Sequence, residues 1–168
     1  MHNMTCYLAG YINSSVMEQC IAWRKKIREH YHNYKGQRYP IDFLDPCNGE
    51  ADQDTNIQNE GLMSNVPSKA IMYRDYVSVV KLADIVVANV DTFGRTRMPL
   101  GTVMEIAWAW EHHKPVIVID SADDKESSWA LHPMFSTATA FRVKSVDELI
   151  EKKWLQFFYK GWNTAIYQ

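Results

Sequence analysis

The stretch that decides the fold runs from Ala83 to Asp120 and reads ADIVVANVDTFGRTRMPLGTVMEIAWAWEHHKPVIVID. Its β-branched run at 84–90 is typical of a parallel strand buried on both faces. A long loop, an amphipathic helix and a second apolar run follow in that order. A single carboxylate, Glu105, lies where we predict the first turn of that helix. The pattern therefore places one acid at the carboxyl edge of a parallel sheet, where open α/β folds bind their ligands.

The rest of the chain continues the same alternation. The predicted strands are residues 5–9, 41–44, 84–90, 115–119 and 140–143, and the predicted helices run from Ser14 or Ser15 to about 32, from Pro67 or Ser68 to about 82, over 102–113, and from Ser145 to about 159. Glu18 and Glu148 would complete capping boxes with Ser15 and Ser145. The polar segment 49–66 predicts a loop ordered in part or by a ligand. This pattern predicts one α/β domain, 1–168, with a doubly wound, flavodoxin- or Rossmann-like parallel sheet and flanking helices.

The composition excludes several classes of partner. The net charge is -2 over 168 residues, so no basic field favours nucleic acid. No apolar run approaches the roughly 20 residues of a membrane span, and the start of the chain is too short and polar for a signal peptide. The three cysteines, at 6, 20 and 47, lack a CxxC spacing, which argues against disulfides or zinc. We therefore expect a cytoplasmic protein that needs neither a metal nor an organic cofactor.

Two aspects of the composition leave alternatives open. Six Trp and nine Tyr are many for this length, and they can line a pocket for a flat ligand or fill a subunit interface. The basic loop Arg95, Thr96 and Arg97 can hold a phosphate or be a solvated loop tip. Neither pair of alternatives is separated by the sequence.

The carboxylate at Glu105 has two readings. A glutamate at the start of a helix can simply interact with the helix dipole. At a sheet edge it can instead act as a nucleophile. The turn Gly101-Thr102 favours the second reading, because glycine lets a ligand approach the backbone closely.

Other candidate residues lie in or after the predicted strands. Tyr7 can be a core tyrosine or a catalytic one, and Asp75 can be a helix-surface acid paired with Arg74 or Lys81. Asp91 can be a simple turn residue. If the strand order is the usual one, a single crevice receives the residues that follow the first three strands, namely Gly10, Asn13, Asp45 and Asp91. The convergence of these residues on one edge carries the argument, since no single residue is decisive.

Four segments together carry a resemblance to a known family. They are YLAG at 7–10, RDYVSVVKLADIVVANVD at 74–91, GTVMEIAWA at 101–109 and KPVIVI at 114–119, supported by the aromatic tail that ends in Ile166-Tyr167. With them the chain resembles the nucleoside 2-deoxyribosyltransferase family, including related nucleoside 5′-monophosphate N-glycosidases. The pairing of the AD-x-x-VA strand with GT-x-x-E is the more specific part of this resemblance.

The resemblance implies a mechanism and a set of roles. Glu105 matches the family's nucleophile, which attacks C1′ of the deoxyribose so that a second base or water can resolve the glycosyl-enzyme. Tyr7 matches the tyrosine that orients this glutamate, and Asp75 the aspartate that serves the sugar or the leaving base. In the family the C-terminal tail reaches a neighbouring subunit's site. Tyr167 and Asn163 are therefore candidate contributions in trans within a homo-oligomer.

One position departs from the family. Six residues before the glutamate, the transferases carry a base-recognising aspartate and the nucleotide-cleaving relatives a phosphate-binding serine, but this chain has Pro99. Proline supplies neither group, nor a backbone N–H. Arg95, Thr96 or Arg97 can replace the phosphate contact, and Asp91 can partly replace the missing base contact.

The sequence leaves three functional hypotheses open. The leading hypothesis is transfer of 2-deoxyribose between nucleobases, in purine or pyrimidine salvage. The second is hydrolysis of (deoxy)nucleoside 5′-monophosphates. The third is a non-catalytic nucleotide-binding module, because a fold does not fix a function.

Overall fold

A five-stranded parallel sheet forms the centre of the protein. The computed structural model describes residues 3–32, 40–47, 68–95, 98–122 and 132–159. The strands are β1 (Met4–Gly10), β2 (Ile41–Leu44), β3 (Ile85–Asn89), β4 (Val116–Ile119) and β5 (Phe141–Val143). They pair in the order β2-β1-β3-β4-β5, with every pairing parallel. This is the strand order of flavodoxin-like doubly wound folds, so the predicted fold class is confirmed.

Helices cover both faces of the sheet. They are α1 (Met17–His32), α2 (Ser68–Val77), α3 (Leu100–Glu111), α4 (Pro133–Thr137), α5 (Val146–Glu151) and α6 (Trp154–Phe158). A 3₁₀ turn, Ser14–Val16, leads into α1, and a π-helical turn, Ser78–Leu82, extends α2. No helix within the described ranges is long and apolar enough to cross a membrane.

Alternation along the strands divides the core into two layers. Cys6 and Leu8 of β1 face the layer formed by α1, α5 and α6. Tyr7 and Ala9 face the opposite layer, which contains Ile106 of α3. Because successive strand residues point to opposite faces, Tyr7 has to lie on the side of the sheet that α3 covers.

Several helix ends differ from the sequence-based prediction. Asn13 caps the 3₁₀ turn that leads into α1, its Oδ1 accepting from the Ser15 backbone N–H at 2.9 Å, so the predicted cap at Ser14 or Ser15 is wrong. The predicted helix 145–159 is broken at Lys153, which has a left-handed φ of 55°. Ser145 does cap α5, with its Oγ accepting from the Glu148 N–H at 3.1 Å.

A shift at the start of α3 changes the setting of the candidate nucleophile. The helix begins at Leu100, two residues earlier than predicted, with Pro99 at the cap position. Glu105 therefore lies in the second turn of α3, not the first. The reading in which Glu105 only interacts with the helix dipole is wrong for this reason, because that interaction decays within the first turn.

Candidate active site

A buried hydrogen bond joins the two principal candidates. The Tyr7 hydroxyl donates to Oε1 of Glu105 at 2.7 Å. Both residues are buried, with Tyr7 1% exposed and Glu105 7% exposed. They are 98 positions apart in the chain and meet because α3 packs over β1 and β3. The hydrogen bond occupies one carboxylate oxygen and fixes the direction of the other.

Burial dominates the ionisation of Glu105. Loss of solvation raises its pKa from 4.5 to about 8, while the hydrogen bond from Tyr7 lowers it. Burial also raises the pKa of Tyr7 well above its usual value, with the Glu105 charge adding to the effect. Tyr7 is thus held as a neutral donor, and the Glu105 carboxyl ionises near pH 8. Groups with such perturbed pKa values are concentrated at functional sites.

Asp75 in α2 forms the third part of this cluster. Its negative charge raises the pKa of both Glu105 and Tyr7, and the Arg74 charge opposes it. Arg74 Nε donates to Asp75 Oδ1 at 2.9 Å, and the Asp75 side chain is only 16% exposed. The predicted pairing with Arg74 is therefore present, but Asp75 is not a solvated surface acid. Contact of Asp75 with a substrate stays a prediction.

The loops after β1 and β3 meet at the carboxyl edge of the sheet. Ser15 Oγ donates to Asn13 Oδ1 at 2.5 Å, and Arg95 Nη2 in turn donates to Ser15 Oγ. Two predicted site residues, Asn13 and Arg95, are thus brought together by Ser15. The arrangement places a guanidinium and a hydroxyl side by side, a combination suited to an anionic oxygen.

Two predicted site residues are held by the protein itself. Asp91 Oδ1 accepts from the Ser121 N–H at 3.0 Å and from its hydroxyl at 2.8 Å, which ties the ends of β3 and β4 together. Asp45 lies with its side chain 2% exposed between two arginines and also accepts from the Cys47 N–H at 2.9 Å. Both oxygens of Asp45 and one oxygen of Asp91 thus have partners within the protein, and substrate contact by these residues stays a prediction.

The predicted turn residues Gly101 and Thr102 lie in the first turn of α3 and differ in exposure. Gly101 is exposed, with no atom within 4 Å of where a Cβ would lie, whereas Thr102 is 3% exposed. Pro99 is buried and offers its carbonyl to the Val103 N–H at 3.0 Å. The predicted residues Thr96, Arg97, Asn163 and Tyr167, and the predicted loop 49–66, lie outside the described residues.

Sequence reasoning missed one charged residue that acts on the site, Arg24, and it named Arg74 only as a partner of Asp75. Both lower the pKa of Glu105. Arg24 is 0% exposed and lies in α1, on the opposite side of the sheet from Glu105. The signal was present in the sequence, since Arg24 falls inside the apolar stripe formed by Cys20, Trp23 and Ile27. A charge at such a position needs buried partners.

Comparison with solved structures places this fold among known enzymes. The structure of the CMP N-glycosidase BcmB of Clostridium botulinum aligns with 90% of this chain and 98% of its own, at 15% identity and a TM-score of 0.54. A 2-desoxiribosyltransferase from Leishmania mexicana aligns over 71% of this chain at 18% identity and a TM-score of 0.49. This chain covers 65% of that transferase, which is less than two thirds of its length.

Sequence comparisons add nothing to this. No family model and no curated protein matches the chain. At such low identity the structural likeness shows a shared fold. The likeness to BcmB therefore agrees with the fold that the resemblance implies.

Proposed function

We propose that this protein breaks the N-glycosidic bond of a nucleoside or nucleotide and carries the sugar on Glu105. The observation that carries the proposal is the 2.7 Å hydrogen bond from Tyr7 to Glu105. It leaves one oxygen of a buried carboxylate oriented for attack, as covalent glycosyl transfer requires. We further propose that the reaction transfers 2-deoxyribose between nucleobases.

The reaction takes two displacements at C1′ of the sugar. The free carboxylate oxygen of Glu105 attacks C1′, the bond from C1′ to the base nitrogen breaks, and its electron pair leaves with the base. A nitrogen of a second base then attacks C1′, and the ester bond to Glu105 breaks to restore the carboxylate. Asp75 serves the sugar or the leaving base. An anionic oxygen beside C1′ stabilises the oxocarbenium-like transition state of each step.

Hydrolysis of nucleoside 5′-monophosphates is the second candidate. Two observations favour it: the fold match to BcmB over nearly the whole of both chains, and the contact of Arg95 with Ser15 at the sheet edge. In this version water replaces the second base, and the Arg95 guanidinium holds the 5′-phosphate. Glu105 and Tyr7 keep the same roles in both candidates.

A chromatographic assay separates the candidates. Purified protein is given each deoxyribonucleoside, and separately each nucleoside and deoxynucleoside monophosphate, with and without a different free base. We expect a new nucleoside only where a free base is present. Free base released from monophosphates alone would replace transfer by hydrolysis.

A third outcome of that assay would contradict both candidates. If no substrate is consumed while a nucleotide still binds, as measured by calorimetry, the chain is a binding module and Glu105 is not a nucleophile. The assay is run at pH 7 and at pH 8.5, because Glu105, with a pKa of about 8, is more fully ionised at the higher pH. A negative result at pH 7 alone would not test the carboxylate.

We also propose that the protein is a cytoplasmic homo-oligomer in which the tail residues Asn163 and Tyr167 complete a neighbouring site. Removing residues 163–168 should then abolish turnover without changing the oligomeric state. Co-expression of this truncated chain with the Glu105→Gln variant should restore about one quarter of wild-type activity in a dimer, because one subunit supplies the carboxylate and its neighbour the tail.

Two results would contradict this arrangement. Full activity of the truncated chain alone would show that the tail does not belong to the site. Loss of activity without recovery in the mixed oligomer would show that the tail acts within its own subunit. Light scattering on each sample provides the control for assembly.

A further inference from the structure

Arg24 is a fully buried cation beneath the carboxyl end of β1. Its Nη2 donates to the Gly10 carbonyl at 3.0 Å, its Nε to the Leu8 carbonyl at 3.3 Å, and its Nη1 to the Cys20 carbonyl at 2.6 Å. The first two carbonyls belong to the strand segment that immediately follows Tyr7. The fork of the guanidinium thus holds the end of the strand that supplies the site.

Arg24 and Arg28 both face the carboxylate of Asp45. Asp45 Oδ1 lies 3.5 Å from Arg24 Nε, and Asp45 Oδ2 lies 3.3 Å from Arg28 Nε. The Asp45 carboxylate therefore lies between the two guanidinium groups. Arg24 also lies 4.5 Å from the centroid of the Trp23 ring, a cation–π contact that offers no negative charge.

Gly10 makes this close approach possible. A Cβ at Gly10 would lie 2.8 Å from Cζ2 of Trp23 and 3.1 Å from Nη2 of Arg24. The first distance is shorter than real carbon contacts, so a side chain at Gly10 would displace the Trp23 ring or the strand end. The absence of a side chain at Gly10 therefore has a packing reason in addition to any ligand contact.

We propose that Arg24 is a positioning residue for the Tyr7–Glu105 pair, holding the end of β1 through two carbonyls and placing a buried positive charge behind the carboxylate. This inference rests on the proposed function. It assigns a role in the reaction to a residue on the sheet face opposite α3, with no contact to the substrate.

The electrostatic surroundings of Glu105 make the role measurable. The groups that act on it come from three elements: Tyr7 of β1, Asp75 and Arg74 of α2, and Arg24 of α1. Tyr7, Arg24 and Arg74 favour the ionised form, and Asp75 opposes it. Removing the Arg24 charge must therefore raise the pKa of Glu105, whereas removing the Asp75 charge must lower it.

Variants at three positions test this prediction. In Arg24→Gln we expect the pKa of Glu105 to rise by at least half a unit, so that kcat/KM at pH 7 falls about threefold and recovers as the pH increases. Arg24→Lys keeps the charge and loses the fork, so the pKa should hold while KM rises. Arg28→Gln removes the other cation beside Asp45 and should leave the pKa of Glu105 and KM unchanged. Asp75→Asn should lower the pKa of Glu105.

The readout is a carboxyl ¹³C NMR titration, with the Glu105 signal assigned by its loss in Glu105→Gln. It needs no substrate, so it separates the two proposals. An unchanged Glu105 titration in folded Arg24→Gln overturns the inference, whatever the activity. The expected shift in a protein that turns over no substrate would instead overturn the proposed function and leave the coupling between Arg24 and Glu105 in place.

Gly10→Ala provides a second approach if Arg24→Gln does not fold. The added methyl group disturbs Trp23 and Arg24 while every charge is kept. We expect KM to rise and the pKa of Glu105 to change, with circular dichroism as the check on folding. Wild-type kinetics together with an unchanged titration in this variant would contradict the role of the strand end.

Discussion

Glu105→Gln is expected to lower kcat/KM by at least about 10⁴-fold, the scale of loss when a covalent nucleophile is removed. An amide oxygen is a weak nucleophile and carries no charge to stabilise a positive transition state at C1′. The substitution keeps the shape of the side chain, and the amide oxygen can still accept the hydrogen bond from Tyr7. Steady-state kinetics with the best substrate from the chromatographic assay measures the loss.

The matched control is Glu111→Gln in the same helix. Glu111 is the last residue of α3 and is exposed, so its change to glutamine should leave kcat/KM within a factor of two. Circular dichroism and the oligomeric state should be the same in both variants. Turnover by Glu105→Gln within tenfold of the wild type would remove Glu105 from the role of nucleophile.

The choice of glutamine follows from burial. The sequence suggests an exposed residue at the helix start, for which alanine would be harmless to the fold. The structure corrects this expectation, since Glu105 is buried in the second turn and bonded to Tyr7. Alanine would leave a cavity and an unpaired tyrosine hydroxyl, which costs stability by itself. Only the isosteric change separates chemistry from folding.

The strands could be predicted from the sequence because of their position in the sheet. Parallel strands covered on both faces read as uninterrupted apolar runs. β3, whose residues are all buried, lies within the predicted 84–90, and the edge strand β2 matches its predicted range of 41–44. The helix ends were harder to predict, because several hydroxyl and amide side chains near a helix start can occupy the N-cap position. In the structure Asn13, rather than Ser14 or Ser15, is the cap, and the conformation of the loop determines which residue takes this place.

The short and interrupted helices had no clear sequence signal. Residues 133–137 form a single short helix, α4, too brief for a periodic apolar pattern to show. The break at Lys153 depends on a left-handed backbone conformation that lysine rarely adopts. Tertiary packing of Leu155 and Tyr159 against the core accounts for a helix that restarts at Trp154.

The candidate site was likewise only partly predictable from the sequence. Glu105 and Tyr7 were candidates from their positions and received their roles from a resemblance. That they touch depends on the register of β1 and on the face that α3 covers. Asp45 was expected to face the ligand crevice from its place after β2. In the structure it pairs with Arg24 and Arg28, and this pairing required knowledge of what α1 buries. Sequence position gives the edge of the sheet, and packing decides which groups there are already engaged.

Burial of Glu105 has a consequence for stability that is independent of any substrate. In the folded state its pKa is about 8, compared with 4.5 for an unperturbed glutamate. Between these values the folded protein keeps a proton that the unfolded chain has lost. The free energy of unfolding therefore falls by about 1.4 kcal/mol for each unit of rising pH. The stabilising contribution is complete below pH 4.5 and is lost as the pH rises through 8.

Glu105→Gln should therefore be more stable than the wild type at high pH, since glutamine never ionises. We expect equal free energies of unfolding near pH 4.5, a difference that grows up to pH 8, and a plateau above it on the order of 5 kcal/mol. In thermal melts this corresponds to about 10 °C in Tm at pH 9 for a domain of this size. Glu111→Gln is the control and should show no such slope. A difference in Tm that stays constant from about pH 5 to 9 would mean that Glu105 is ionised throughout, and would contradict the carboxyl pKa on which its poise as a nucleophile depends.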